Sequence, residues 1–144
     1  MPGQKPRPKR LRTAEAPPNF ERGGYSVEFD TLARIGNAKL WGFWDVEVAE
    51  RFRAELLAIG HRQGGGSWSI LVDSRSFLPQ SPEVTRHRRE TMGMILSQGC
   101  RRIAVVVVEN GTYAMQFARI AKEAGVTNAV FFDAVQALAW LREA

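Results

Sequence analysis

Two apolar, β-branched runs bracketing a single helical segment constrain this chain more than any other feature. The first is Ile70-Leu71-Val72 and the second is Ile103-Ala104-Val105-Val106-Val107-Val108. Between them stands Ser81-Pro82-Glu83, a helix start with a capping serine, a proline at the first helical position and an acid in the first turn. Strand, helix and strand in that order make a βαβ unit. The second run has no polar alternation, as expected of a strand covered on both faces. The sequence therefore predicts a parallel sheet with helices packed against it.

The pattern extends in both directions. Tyr25, Val27 and Phe29 alternate with Ser26, Glu28 and Asp30, which predicts a half-exposed edge strand over residues 25–30. A short connection leads to a second strand over residues 33–43, with a bend at Gly36-Asn37. Asp45 is placed to cap a helix in which Ala49, Phe52, Leu56 and Ile59 recur every three or four residues, with Glu47 and Arg51 paired on the outside. Residues 68–73 form a third strand. The helix after Ser81 turns Val84, Thr91 and Ile95 inward, with His87 or Arg88 on the same stripe, and turns Arg86, Arg89 and Glu90 outward until Gly99 ends it. After the fourth strand, residues 103–108, Thr112 is placed to cap a helix that buries Phe117, Ile120, Ala121 and Ala124. Residues 129–132 form the fifth strand, and Asp133 caps a last helix with Val135, Leu138 and Leu141. The order ββαβαβαβα predicts an α/β sandwich around a mixed, mostly parallel five-stranded sheet. Strands two to five run parallel through right-handed crossovers, with the first antiparallel or at an edge.

Charge refines this picture. The net charge of +5 suggests nucleic acid until it is divided along the chain. Residues 1–22 carry six basic and two acidic side chains, while the rest carries 14 and 13. The folded part is nearly neutral, which argues against a basic binding face on it. Residues 1–24, rich in Pro, Lys and Arg, are expected to be a disordered basic tail, and residues 25–144 the domain. Such a tail is either an arm that touches nucleic acid or a solvated leader that aids solubility. The longest apolar run is far too short to span a bilayer, so neither membrane insertion nor a secretory signal is expected. The one cysteine, Cys100, has no partner for an internal disulfide, and a reducing cytoplasm is the natural setting.

Ligands of such sheets gather at the carboxyl ends of the parallel strands. The residues there are Trp44-Asp45, Asp73-Ser74-Arg75-Ser76, Glu109-Asn110 and Phe132-Asp133. Four carboxylates following four strands suggest a hard-cation or acid/base site, while helix capping by Asp45 and Asp133 and a turn around Asp73 account for the same residues. His61 and His87 lie on different helices with no cysteine at metal spacing, which argues against a zinc site. No nucleophile elbow is present, and Gly64-Gly65-Gly66 follows a helix instead of opening one, so it is not a phosphate loop. No catalytic residue, metal or cofactor is expected. Two places for a function remain. Ser81 caps the second helix, where amides and dipole favour added negative charge, with Arg86 and Arg89 one and two turns on. Trp41, Phe43 and Trp44 form an aromatic cluster beside Asp73 that packs the rim or holds a ligand.

The order of elements resembles the STAS fold, and more narrowly the SpoIIAA-like proteins related to STAS and to the Sec14 lipid-binding fold. The resemblance rests on Lys39-Leu40-Trp41-Gly42-Phe43-Trp44-Asp45, on Ile70-Leu71-Val72-Asp73 with the Ser81-Pro82-Glu83 start, on Arg101-Arg102-Ile103-Ala104-Val105-Val106-Val107, and on residues 132–141. It implies a non-enzymatic regulatory module that binds a protein partner through the second helix and adjoining loops, as anti-sigma-factor antagonists do. Ser81, Arg86, Arg89, Ser74 and Arg75 would make that contact. In those antagonists a kinase phosphorylates a serine within Asp-Ser-Ser/Thr-Gly; here the corresponding stretch is Leu78-Pro79-Gln80-Ser81-Pro82-Glu83, and only Ser81 falls near that position. The other expectation is a small-molecule or lipid-binding domain that uses Trp41, Phe43, Trp44 and Asp73 as its pocket. A homodimer formed through the edge strand is compatible with either.

Overall fold

The computed structural model describes residues 23–109, 111 and 113–143. The tail expected over residues 1–24 lies outside the described residues except for Gly23 and Gly24, and so does the Thr112 cap. The elements are β1 (Gly24–Asp30), β2 (Ile35–Gly42), α1 (Val46–Arg62), β3 (Trp68–Phe77), α2 (Pro82–Ser97), β4 (Cys100–Val106), α3 (Tyr113–Ala124), β5 (Thr127–Phe131) and α4 (Ala134–Arg142). The sheet runs β1-β2-β3-β4-β5 in sequence order, with β1 antiparallel to β2 and every other pair parallel.

That order decides where the helices go. Each crossover from β2 to β5 steps one strand in the same direction, and crossovers share one hand, so α1, α2 and α3 fall on one face. The larger core cluster joins Ala38, Leu40, Ile70, Val72, Ile103, Val105 and Val107 to Phe52, Leu56, Val84, Ile95 and Phe117 from those helices. On the opposite face α4 sets Ala137 and Leu141 against Leu71, Ala104 and Val106. Thus β4 is buried on both sides, which is why its sequence shows no alternation. Over β1 and β2 that second face is polar, with Ser26 paired to Lys39 and Glu28 to Asn37.

The helix starts follow their local chemistry. Asp45 accepts from the Val48 amide at 2.9 Å, Ser81 from the Val84 amide at 3.1 Å, and Asp133 from the amides of Val135 and Gln136. Two expectations about the strands are corrected. The bend placed at Gly36-Asn37 lies earlier, because the Asp30 carboxylate accepts from the Leu32 and Ala33 amides and Arg34 takes a positive φ of 60°. The third strand does not stop at Asp73. Its pairing with β2 shifts between Lys39 and Trp41, so Ser74 and Arg75 bulge and the strand resumes at Ser76 and Phe77.

Candidate functional site at the carboxyl rim of the sheet

Strands β2 to β5 end along one edge, where all four helices begin. Phe43 follows β2, Leu78 follows β3, Val108 follows β4 and Phe132 follows β5, and each is exposed. Met115 and Val135, in the first turns of α3 and α4, are each 76% exposed. The other large exposed apolar side chains among the described residues are dispersed: Leu32 at the β1–β2 tip, Met94 and Leu96 late in α2, and Val130 on the β5 edge. Neighbouring strands lie about 4.8 Å apart, so the row from β2 to β5 is about 15 Å long. Contiguous exposed apolar patches on folded domains are where interaction surfaces are sought, whereas scattered apolar side chains need no explanation.

A buried amide holds this rim in shape. Gln80, 8% exposed, accepts from the Trp44 backbone N–H at 2.8 Å and donates to the carbonyls of Gly42, at 3.1 Å, and Leu78. It ties the loop after β2 to the loop before α2, and the Leu78 amide adds a second tie by donating to the Gly42 carbonyl at 3.2 Å. Gln116 of α3 continues the chain of contacts by donating to the Thr85 hydroxyl at 3.2 Å.

Beneath the rim lies a buried cation. Arg88 is 6% exposed, with its guanidinium carbon 5.1 Å from the ring centre of Phe77, 5.7 Å from Trp44 and 5.8 Å from Tyr113. It donates to the Tyr113 hydroxyl, and among the described residues no carboxylate pairs with it. Three ring faces supply the negative potential that an acid would otherwise give. Below, Arg88 and Thr91 share a cavity of about 20 Å³ with Phe52, Leu56, Ile70 and Phe117, room for about one water.

The structure separates the aromatic cluster expected from the sequence. Trp44 is 1% exposed, packed 4.9 Å from Phe77 and 5.3 Å from Phe52 between ring centres, with its indole N–H donating to the Gly24 carbonyl. Trp41 is half-buried and lies against Gly24, while Phe43 is exposed. None of Trp41, Phe43 and Trp44 borders the space under Arg88.

The regulatory residues also separate. Ser81 is half-buried and engaged as a cap, Arg86 is exposed, and Arg89 reaches across to Glu123 of α3 at 3.2 Å. Ser74 is 3% exposed, and its hydroxyl has no partner among the described residues. Arg75 makes a two-point fork on Asp73, at 2.8 and 3.0 Å. Burial pushes the Asp73 carboxyl up, but the Arg75 hydrogen bonds and charge, with Lys39, outweigh it and hold the carboxyl below its usual range. Of the four rim carboxylates, Asp45 and Asp133 cap helices, Asp73 is paired and Glu109 is exposed. Among the described residues no three His, Cys, Asp or Glu side chains gather to hold a metal ion.

Gln80 and the apolar row as a whole were not singled out from sequence, although Phe43 and Phe132 were named at the strand ends and Arg88 was one of two candidates for the inward stripe of α2. Exposure of Val108 and Val135 has no sequence signal, because each sits in a run that reads as core. The loop position of Gln80 gave no sign of burial.

No protein-family model and no curated protein matches the sequence. Among solved structures the chain is similar to the crystal structure of an anti-sigma factor antagonist from Mycobacterium paratuberculosis. The two share 13% identity with a TM-score of 0.59, over 88% of this chain and 98% of that one. The α/β fold with a mixed five-stranded sheet and four helices is the STAS fold that the sequence patterns resemble.

Proposed function

We propose that this domain is a non-enzymatic regulatory module that binds a protein partner at the carboxyl rim and the start of α2, in the manner of an anti-sigma factor antagonist. The observation that carries the reading is the row of exposed apolar side chains from Phe43 to Val135 on loops held by Gln80. An interface needs an apolar centre with a polar rim, and exposed Arg86, Glu83 and Glu109 supply the border. The fold shared with an antagonist of anti-sigma factors supports a partner of that kind. The water-sized space under Arg88 supports binding on the surface over enclosure of a ligand. Ser81, already accepting one amide of α2, would place a phosphate at the border of the same face.

The test begins with a partner isolated on the tagged full-length protein and identified by mass spectrometry. Phe132→Asp and Val135→Asp, which remove apolar surface without touching the core, each weaken that partner's affinity at least tenfold, since a central apolar contact is worth about 2 kcal/mol. Met94→Asp, at the other end of α2, leaves it unchanged. Equal affinity in all three variants would refute the rim as the binding face.

A further inference from the structure

We propose that the cavity beneath Arg88 binds a small, weakly hydrated monovalent anion, a chloride or bromide ion, as the counter-charge of that guanidinium. The inference is independent of any partner at the rim.

The first ground is the charge. Arg88 is 6% exposed and, among the described residues, makes one hydrogen bond, to the Tyr113 hydroxyl. A guanidinium carries five N–H donors in one plane. Ring faces soften its charge, but they are weak acceptors for those donors. Arg53 of α1, which reaches the same stretch of α2, is answered by Glu90 at 3.3 Å. Arg88 has no such carboxylate among the described residues.

The second ground is the lining. Among the described residues Arg88 and Thr91 are the polar side chains that border the cavity, and the rest are apolar. The Thr91 hydroxyl is already engaged twice, accepting from Arg53 Nε at 2.8 Å and donating to the His87 carbonyl at 3.0 Å. The cavity wall thus presents spare donors and, beyond the weak thioether of Met92, no matching acceptor. A water there needs two to four polar partners and must place its own two protons, which would face carbon. An anion accepts from every N–H and has no proton to place.

Size and surroundings select the ion. A cavity of about 20 Å³ admits a single-atom ion and is too small for phosphate or a carboxylic acid. Every residue that borders it is buried. The pair therefore forms out of water, where unit charges attract several-fold more strongly than at a surface. To enter, the anion gives up its hydration, at a cost that falls as the ion grows larger. Chloride and bromide are favoured over the smaller fluoride on that account.

The experiment melts the full chain in sodium fluoride, chloride and bromide at one ionic strength of about 0.2 M. A general salt effect makes fluoride the most stabilising, because strongly hydrated ions are excluded from the surface and strengthen burial. A bound ion reverses that rank. Chloride and bromide are expected to raise the melting temperature about 2–4 °C above fluoride. In Arg88→Met, which keeps the core filled, the reversal is lost. Crystals of the parent soaked in bromide give a second readout that needs no variant to fold: an anomalous peak beside the Arg88 guanidinium. Fluoride stabilising the parent as well as chloride, or the same reversal persisting in Arg88→Met, would overturn the proposal. So would bromide peaks confined to surface cations, an adventitious ion only. Neither readout involves a protein partner, so failure here leaves the rim reading standing, and failure of the rim reading leaves this site intact.

Discussion

Arg88 shows most clearly how a single residue is balanced in this fold. Burying an ion costs several kcal/mol, and three ring faces at about 2 kcal/mol each come close to repaying it. The charge should then be nearly neutral for stability, while the volume of the side chain is not. Arg88→Met is expected to unfold within about 1 kcal/mol of the parent, and Arg88→Ala about 3 kcal/mol earlier, as a large-to-small change leaves a void. Urea midpoints check this, and equal losses in both variants would show that the cation itself holds the core. One residue earlier in the chain, His87 has a ring nitrogen buried without a partner among the described residues. Burial first, then the nearby Arg53, holds its pKa below the ordinary value. The unfolded chain thus takes up this proton at higher pH than the folded one. Stability falls as the pH drops below about 6.5, the ordinary histidine value. His87→Gln should flatten that fall; parallel curves for the two proteins would contradict it. The inward stripe of α2 was legible from its spacing, but the choice between His87 and Arg88 was not, because only the rings arriving from β3, α3 and the β2 exit make a guanidinium tolerable inside.

Among the elements, the loops at the rim carry the account. Ser81→Ala should cost about 1 kcal/mol by freeing the Val84 amide, and Ser81→Asp should cost only a few tenths, since aspartate caps equally well. Gln80→Ala leaves the Trp44 amide without its partner and removes one of two donors to the Gly42 carbonyl, and is expected to cost about 2 kcal/mol. Hydrogen exchange at the Trp44 amide is the direct readout, and protection unchanged from the parent would remove Gln80 from its role as a tie. The caps Asp45, Ser81 and Asp133 were legible because a capping side chain acts on its own next turn. The β3 bulge and the Gln80 tie were not, because each depends on a strand or loop about 36 residues away in sequence. The early end given to β3 at Asp73 has the same origin: polar Ser74, Arg75 and Ser76 read as a loop until β2 is alongside to pair with them.

For the whole molecule, sheet order is the organising fact. Sequential strands put three helices on one face and leave α4 to cover β3 to β5 on the other. All helix starts then meet at one edge, and the apolar residues that leave the core there become a surface. The fold was legible because periodicity and crossover rules act on every element alike. The surface was not, since Val108 or Phe132 turns outward only where its strand runs out. The claim that this rim is the working face is tested most directly by placing a photoreactive phenylalanine analogue at Phe43, Met115, Phe132, Met94 or Leu96, one at a time, in cells of the native host. Cross-links to one and the same protein from Phe43, Met115 and Phe132, and none from Met94 or Leu96, are the result expected. Cross-links of that protein from Met94 and Leu96, with the rim positions silent, would contradict the account.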